Sequence, residues 1–241
     1  MNILDKIVIE KINHHKYLKQ KINKFRIQKN TKSKFVKSIK NQINLGKNAL
    51  IVEFKRFSPS VNKFKNIKNI QETIREYDRS NCCCISILTD KNFGGSINDL
   101  IIARKITSKP IIRKDFIINK SQILESKFYG ADAILLIAKI LKKKEINDLY
   151  IYAKKIGLDV LIEIENEIEI KKLNQIDIEL IGINNRDLRK QRIDIKKSIN
   201  LSKLFDNKII IAESGITNMN IKKIKSKSKI SSFLIGGSIL N

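Results

Sequence analysis

Apolar residues recur along the chain in two patterns that alternate with each other. From Ile3 to Phe25 they are spaced three or four positions apart, which predicts a long amphipathic helix at the start of the chain. Beyond this segment the apolar residues gather into short continuous runs. There are eight such runs: NALIVEF, CCISILT, KPIIRKDF, ADAILLIA, LDVLIEI, IELIGIN, KIIIAES and SSFLIGG. They are the candidate strands.

Stretches with helical spacing separate several of these runs, among them SINDLIIARKIT, KSQILESKFYG, KKKEINDLYIYAKKIG and NMNIKKIKSK. A strand that is apolar throughout is covered on both faces, as in a parallel sheet wrapped by helices. Eight strand–helix units in 241 residues predict an α/β fold, the (β/α)8 or TIM barrel. A doubly wound open sheet is the alternative, but no glycine-rich fingerprint follows the first strand. We expect one domain over residues 1–241, with residues 1–46 as a helical N-terminal extension.

The sequence given ends soon after the eighth strand, so the eighth helix of the barrel is expected to be missing. Outer side chains of strands eight and one would then lack their usual cover. This strip is expected to include Phe233, Ile235, Ile51 and Phe54. We therefore expect the N-terminal helix, a partner subunit or a further C-terminal segment to cover it.

Composition excludes some classes of protein and leaves others open. The formal charge of +25 would ordinarily suggest a nucleic-acid partner, but the basic residues are spread over the whole chain without a basic stripe. No apolar run is long enough to cross a bilayer and no signal peptide is evident. Cys82, Cys83 and Cys84 are adjacent, which suits small buried strand residues in a reducing compartment better than a metal site. We expect a cytoplasmic protein without nucleic-acid or membrane partners.

Polar residues cluster where the apolar runs end, which is where active sites of such barrels lie. Glu53 and Lys55 are two residues apart, so an extended strand points both to one side. If they stood alone, an ion pair on an exposed sheet edge would be the preferred explanation. Other strand ends carry the following polar residues: Thr89, Asp90, Arg113, Lys114, Asp115, Glu163, Asn184, Asn185, Arg186, Asp187 and Glu213.

Glycine usage points to the same end of the barrel. The chain has only 9 glycines, and six of them lie in or beside these clusters: Gly94, Gly95, Gly182, Gly215, Gly236 and Gly237. Ser214-Gly215 follows strand seven, and Gly236-Gly237-Ser238 follows strand eight. Loops in these two places commonly hold a phosphate group through backbone N–H groups and a helix N-terminus. The sequence therefore predicts a phosphorylated small-molecule substrate.

The motifs together resemble the indole-3-glycerol phosphate synthase family of tryptophan biosynthesis. The resemblance rests, in order, on ILDKIV, IVEFKRFSPS, ISILTDKNFGGS, KPIIRKDFII, GADAILLIAKIL, LIEI, IGINNRDL, IAESGI and FLIGGSIL, from about Ile3 to Leu240. It implies a carboxy-lyase that closes the ring of 1-(2-carboxyphenylamino)-1-deoxyribulose 5-phosphate with loss of CO₂ and water. No metal or organic cofactor is implied, and association with other tryptophan-pathway enzymes is compatible with it.

The resemblance also implies roles for individual residues. Lys114 would be the general acid of ring closure and Glu163 the base, while Lys55 and Glu53 would act on the substrate carboxylate and in dehydration. The assignment of the two lysines to individual proton transfers stays open. Asn184 would orient substrate hydroxyls, and Glu213 would hold polar partners. The expected substrate-binding and phosphate-binding residues are Arg56, Ser58, Phe93, Phe116, Arg186, Ser214, Gly215, Gly236 and Gly237.

One motif departs from the family pattern. Val61-Asn62 stands where a Lys-Gly pair usually follows Ser58-Pro59-Ser60, which predicts a loop that closes differently over the substrate. Two alternatives to the enzyme stay open at this point: a catalytically impaired barrel scaffold, and a basic protein that binds anions or nucleic acid. The acidic strand-end residues argue against the second, since they would repel phosphates outside a specific site.

Overall fold

The computed structural model describes residues 3–21, 33–57, 69–174, 176–187 and 192–236, with the side chains of the first helix described through residue 13. Eight parallel strands close into a barrel in the order β1 to β8, and β8 pairs with β1. The strands are β1 Ala49–Phe54, β2 Cys84–Leu88, β3 Ile111–Lys114, β4 Ala133–Ile137, β5 Asp159–Ile164, β6 Leu180–Asn184, β7 Ile209–Glu213 and β8 Ser232–Gly236. All eight predicted strands and the predicted barrel are confirmed.

Helices follow and precede the strands. They are α1 Ile3–Lys21, α2 Phe35–Asn44, α3 Ile70–Arg79, α4 Ile97–Ile106, α5 Lys120–Phe128, α6 Lys143–Lys155, α7 Glu167–Ile170, α8 Lys196–Leu201 and α9 Asn218–Lys225. Side-chain caps start several of them: Asn119 accepts a hydrogen bond from the Gln122 N–H, and Thr217 accepts one from the Asn220 N–H. Among the described helices, none has the length and apolar character that crossing a bilayer takes.

The barrel has two apolar clusters, one between strands and helices and one inside the barrel. Outer side chains such as Val52 and Ile162 pack against the helices, while Ile51 and Leu161 lie inside. This alternation follows from the two-residue period of a strand. It determines which polar side chains can reach the interior.

Helix α2 closes the N-terminal end of the barrel. Phe35 and Ile39 are fully buried in the interior cluster. The Val36 N–H donates to the carboxylate of Asp159, the first residue of β5, at 3.0 Å. The Ser38 hydroxyl donates to the Cys83 carbonyl just before β2 at 2.9 Å. With this end filled, the C-terminal end of the barrel is left for a ligand.

Helix α1 lies near the C-terminal ends of β2 and β3 and contacts α5. The Lys11 ammonium lies 2.8 Å from a carboxylate oxygen of Asp90 and 2.5 Å from one of Asp115. Both carboxylates are almost fully buried, so these ion pairs hold α1 at the rim of the barrel. That residues 1–46 form a helical N-terminal extension of a single domain stays a prediction, because residues 22–32 lie outside the described part.

The outer side chains Phe233, Ile235 and Phe54 of β8 and β1 are buried, which agrees with the expectation that this strip is covered. Which of the three expected segments covers it stays a prediction. The placement of Ile51 on the outer face was wrong, because it shares the inner face with Glu53 two residues later. Residues after Gly236 lie outside the described part, so the missing eighth helix stays a prediction.

Candidate active site

The four odd-numbered strands each send one charged side chain into the C-terminal half of the barrel. They are Glu53 from β1, Lys114 from β3, Glu163 from β5 and Glu213 from β7. In barrels of this kind, side chains from alternate strands lie at the same level. We call these four residues the charged layer. All four are buried or nearly so, and each must therefore be paired, hydrogen-bonded or neutral.

Lys114 lies at the centre of the charged layer. Its ammonium nitrogen lies 2.7 Å from Oε2 of Glu213 and 3.3 Å from Oε1 of Glu53. Burial alone would lower the pKa of Lys114, but the carboxylates of Glu213, Glu53 and Glu163 outweigh burial and raise it well above its usual value. Lys114 is therefore a protonated ammonium group that can donate hydrogen bonds and protons.

Glu53 is held in its ionised form. Burial would raise its pKa, but the ammonium groups of Lys55 and Lys114 outweigh burial and lower the pKa to about 2. Lys55 forms an ion pair with Glu53, as their spacing on the strand predicts. The pair lines the cavity, so the edge-of-sheet interpretation of this motif is wrong.

Glu163 has the opposite character. Burial raises its pKa, and repulsion from Glu213 raises it further, whereas Lys114 opposes both; the result is a pKa of about 8. The side-chain amide of Asn184 donates to Oε1 of Glu163 at 3.1 Å. Asn184 in turn accepts from the Arg186 N–H at 2.9 Å. This carboxyl group is thus tuned to exchange a proton near neutral pH.

A cavity of about 250 Å³ opens above the charged layer. Its lining residues are Glu53, Lys55, Leu88, Phe93, Lys114, Asp115, Phe116, Leu135, Ile137, Glu163, Asn184, Arg186, Ser214, Gly215, Ile216, Thr217, Leu234 and Gly236. One wall is aromatic, with the rings of Phe93 and Phe116 stacked at 6.1 Å between centroids. The cavity therefore combines a flat apolar wall with proton donors and acceptors.

The side formed by β7 and β8 suits an anion. Ser214 and Gly215 follow β7 with φ angles of 63° and 66°, so two successive residues adopt the left-handed conformation. The N-terminus of α9 begins just beyond them, and Thr217 lines the cavity. A Cβ at Gly236 would meet no atom within 4 Å, so a ligand can approach the backbone there. Backbone N–H groups and a helix N-terminus are the usual phosphate ligands.

The structure brings most of the predicted site residues together. Five of the six proposed catalytic residues line the cavity, and Glu213 lies beneath it in contact with Lys114. Phe93, Phe116, Arg186, Ser214, Gly215 and Gly236 also line it. Ser58 and Gly237 lie outside the described residues.

Arg56 is the exception among the described residues. Its guanidinium group donates to both carboxylate oxygens of Asp99, at 2.7 and 2.8 Å, and to the Gly94 carbonyl at 2.8 Å. It also lies over the ring of Phe54 at 5.0 Å. These contacts tie the end of β1 to α4 and the loop before it. The geometry gives no support to a role of Arg56 in binding the substrate.

Sequence reasoning missed several residues of the cavity. Leu135 and Leu234 form apolar parts of its wall, and Ile216 and Thr217 flank the anion side. The two-residue alternation within β4 and β8 could have identified the two leucines as inward-facing. Within the described ranges, no group of three or more His, Cys, Asp or Glu side chains is arranged to hold a metal ion.

These features define a class of protein: a (β/α)8-barrel enzyme that transfers protons on a small anionic substrate. The family model for indole-3-glycerol phosphate synthase matches residues 4–241. The chain belongs to this family.

Individual relatives agree with the family match. The indole-3-glycerol phosphate synthase of Caldanaerobacter subterraneus subsp. tengcongensis is 41% identical over 206 residues, which cover 83% of this chain and 79% of the relative. The tryptophan biosynthesis protein TrpCF of Buchnera aphidicola subsp. Schizaphis graminum is 37% identical over 242 residues, covering 99% of this chain and 52% of the relative. Among solved structures, N-(5'-phosphoribosyl)anthranilate isomerase from Pyrococcus furiosus has a TM-score of 0.55 at 9% identity, covering 80% of this chain and 88% of that one. This last similarity concerns the fold alone.

Proposed function

We propose that this protein is an indole-3-glycerol phosphate synthase that works through its charged layer. Its substrate is 1-(2-carboxyphenylamino)-1-deoxyribulose 5-phosphate. The ring carbon that bears the carboxylate bonds to the ketone carbon, and the ketone oxygen takes up a proton. CO₂ then leaves with restoration of the ring electrons. The new hydroxyl group then takes up a proton and leaves as water, and the neighbouring carbon gives its proton to a base, which yields indole-3-glycerol phosphate.

The observation that carries the proposal is the position of Lys114. Its ammonium group is held by Glu213 and Glu53 at the floor of the cavity, and its raised pKa keeps it protonated. A protonated amine facing a buried cavity can donate a proton to a ketone oxygen as a carbon–carbon bond forms. Lys114 is therefore proposed as the general acid of ring closure.

Glu163 is proposed as the base that accepts a proton when the second aromatic ring forms. A pKa of about 8 makes its carboxylate a stronger base than an exposed glutamate. Asn184 holds the Glu163 carboxyl group through its amide, and it is placed to contact a substrate hydroxyl group as well. The proposed acid and the proposed base thus lie on separate strands, β3 and β5.

Lys55 and Glu53 are proposed to act on the substrate carboxylate and in dehydration. Lys55 is the more exposed of the two lysines, which suits a cation that meets the carboxylate as the substrate enters. Glu53 is ionised at neutral pH, so it can stabilise either ammonium group throughout the reaction.

The remaining contacts orient the substrate. Ser214, Gly215 and Gly236, with Ser58 and Gly237 from outside the described residues, are proposed to hold the phosphate group. Phe93 and Phe116 form the aromatic wall that would pack against the substrate ring. Arg186 adds a cation to the cavity, where an anionic substrate is bound. These contacts position the ketone over the charged layer.

The proposal extends to cell location and partners. A cytoplasmic enzyme is supported by the three cysteines, which are buried and free. The proposed substrate is a small phosphorylated molecule rather than a nucleic acid, since the size of the cavity and its aromatic wall suit a substrate with a single aromatic ring. Association with other enzymes of the tryptophan pathway is proposed from the Buchnera relative, whose chain is about twice the matched length.

An assay with purified protein tests the proposed function. The substrate is added, and the appearance of indole fluorescence is compared with the amount of CO₂ released. Equal amounts of indole product and CO₂ are expected. Binding of the substrate without turnover would instead support the impaired scaffold, and tight binding of a DNA duplex at physiological salt would support the nucleic-acid alternative.

A further inference from the structure

Gly182 occupies a place in β6 between two members of the charged layer. It pairs in register with Glu163 of β5 on one side and with Ile211 of β7 on the other. Leu180 and Asn184, two residues before and after it, both face the barrel interior. By the two-residue period, a side chain at position 182 would project inward at the level of the glutamates.

The carboxylate of Glu213 fills the space where that side chain would be. A Cβ built on Gly182 would lie 2.2 Å from Oε1 of Glu213 and 3.3 Å from its Cδ. The φ angle of Gly182 is in the range open to any residue, since it is not one of the glycines with positive φ. Glycine is therefore required here for space rather than for backbone conformation.

The position of this carboxylate matters to the acid of the proposed reaction. Oε2 of Glu213 accepts the hydrogen bond from Lys114 at 2.7 Å, while Oε1 is buried without a hydrogen-bond partner in the described part of the chain. The position of the Glu213 carboxylate thus depends on two features: the hydrogen bond from Lys114 and the space left by the missing side chain of Gly182. A change in either moves the ammonium group.

We propose that Gly182 is a positioning residue for ring closure: its missing side chain admits the Glu213 carboxylate, which places the Lys114 ammonium at the cavity floor. This inference rests on the proposed function, because it assigns Gly182 a part in the same reaction. It does not make Gly182 a catalytic residue. Gly182 acts only through Glu213.

A methyl group at position 182 should disturb the site more than the fold. The atom it would strike is the end of a flexible side chain, so the carboxylate moves and the strands stay. A displacement of about 1 Å in a catalytic group costs on the order of 10²-fold in rate. We expect Gly182→Ala to lower kcat by about 10- to 100-fold. KM should change far less, because the anion side of the cavity lies on β7 and β8.

A double-mutant cycle separates this role from a general packing effect. The four proteins are wild type, Gly182→Ala, Glu213→Ala and the double variant, each measured for kcat, KM and thermal unfolding. If Gly182 acts through Glu213, adding Gly182→Ala to Glu213→Ala should leave both kcat and the unfolding temperature unchanged. An equal fall of kcat in both backgrounds would overturn the proposal, as would a Gly182→Ala enzyme with full activity.

Two further outcomes are decided by the same proteins. If Gly182→Ala does not fold, the double variant must fold, because the clash partner is gone; failure of both to fold would overturn the proposal. An inactive wild-type protein would refute the proposed function itself. An active wild type with independent effects at the two positions would refute only the role of Gly182.

Discussion

Two layers of side chains fill the same barrel, and they come from the same four strands. The apolar layer is formed by Ile51, Ile112, Leu161 and Ile211, all essentially inaccessible to solvent. Two residues later on each strand lies the charged layer of Glu53, Lys114, Glu163 and Glu213. A shift of two residues along a strand therefore separates side chains that stabilise the fold from side chains that suit catalysis.

Burial has opposite consequences in the two layers. In the apolar layer it stabilises the folded state by removing hydrocarbon from water. In the charged layer it is costly unless each charge is paired or neutralised. Lys114 is paired with two carboxylates. Glu163 has a pKa raised to about 8, so it stays protonated and uncharged below that pH. The charged layer is thus held in a reactive state by the apolar barrel around it.

Replacing the central cation should give the largest effect on rate. Lys114→Met should lower kcat by about 10²- to 10⁴-fold, as expected for loss of a general acid, with a much smaller change in KM. It should also destabilise the fold by about 3–5 kcal/mol, because the buried Glu213 carboxylate loses its ion-pair partner and Glu53 is left with Lys55 alone. Steady-state kinetics and urea unfolding measure the two effects. A loss confined to KM would mean that Lys114 only binds the substrate.

Lys139 provides the matched control for that variant. Lys139 follows β4, and its ammonium group lies 2.9 and 2.7 Å from the two carboxylate oxygens of Glu165, which follows β5. Neither residue lines the cavity. Lys139→Met breaks a comparable ion pair without touching the proposed acid. It should reduce stability and leave kcat within about threefold of wild type.

A cavity in the apolar layer should lower stability strongly and change the reaction rate little, unlike a change in the charged layer, which should lower the rate. Leu161→Ala on β5 should lower the free energy of unfolding by about 2–5 kcal/mol, through lost burial and a residual cavity. The rate per folded molecule should stay within about threefold, since Glu163 keeps its partners. Denaturant unfolding and active-site titration give the two numbers. A loss of kcat as large as that of Lys114→Met would erase the distinction between the layers.

The pH dependence should report the unusual carboxyl group. The base must be deprotonated to act, so kcat/KM should rise as pH increases, by about tenfold per unit, and level off above the Glu163 pKa of about 8. The contribution of Glu163 to the free energy of unfolding should instead fall as pH increases. A raised pKa favours the protonated folded protein, so this contribution is fully present below about pH 4.5 and is lost as pH rises through about 8. A rate that is flat between about pH 6 and 9 would contradict the assignment.

Arg56 should show the smallest effect, although it is adjacent to Lys55. Arg56→Lys loses the two-point contact with Asp99. Because the Arg56 side chain is partly exposed, this loss should cost no more than about 1 kcal/mol of stability. KM should change by less than about threefold, because the guanidinium group does not reach the cavity. An increase of KM by tenfold or more would instead support the expected role of Arg56 in binding the substrate.

The strands and most of the site could be predicted because they depend on local pattern. A run such as LDVLIEI is apolar on both faces, and Glu163 stands where the run ends, so both β5 and its catalytic candidate follow from sequence. The same alternation explains one error: Ile51 shares the inner side of β1 with Glu53 rather than facing outward. The role of Arg56 in binding stays a prediction.

Contacts between distant segments could not be predicted in this way. Lys11 has the same local surroundings as the many other lysines, and nothing nearby indicates that it pairs with Asp90 and Asp115. Helix α3 was expected only as part of the barrel and not from a named stretch, although Ile70, Ile74 and Tyr77 are buried at helical spacing. The dependence of Gly182 on Glu213 likewise appears only when β6 and β7 are side by side. Tertiary packing, rather than propensity, decides these features.

The most direct test of the charged layer is the rate of indole formation by Glu163→Gln, measured in a single turnover. Glutamine keeps the size of the side chain and removes its ability to accept a proton. The matched control is Glu167→Gln, an exposed glutamate at the start of α7 in the same segment of the chain. We expect Glu163→Gln to be about 10²- to 10⁴-fold slower than wild type, with Glu167→Gln unchanged. A Glu163→Gln enzyme within about tenfold of wild type would contradict the account.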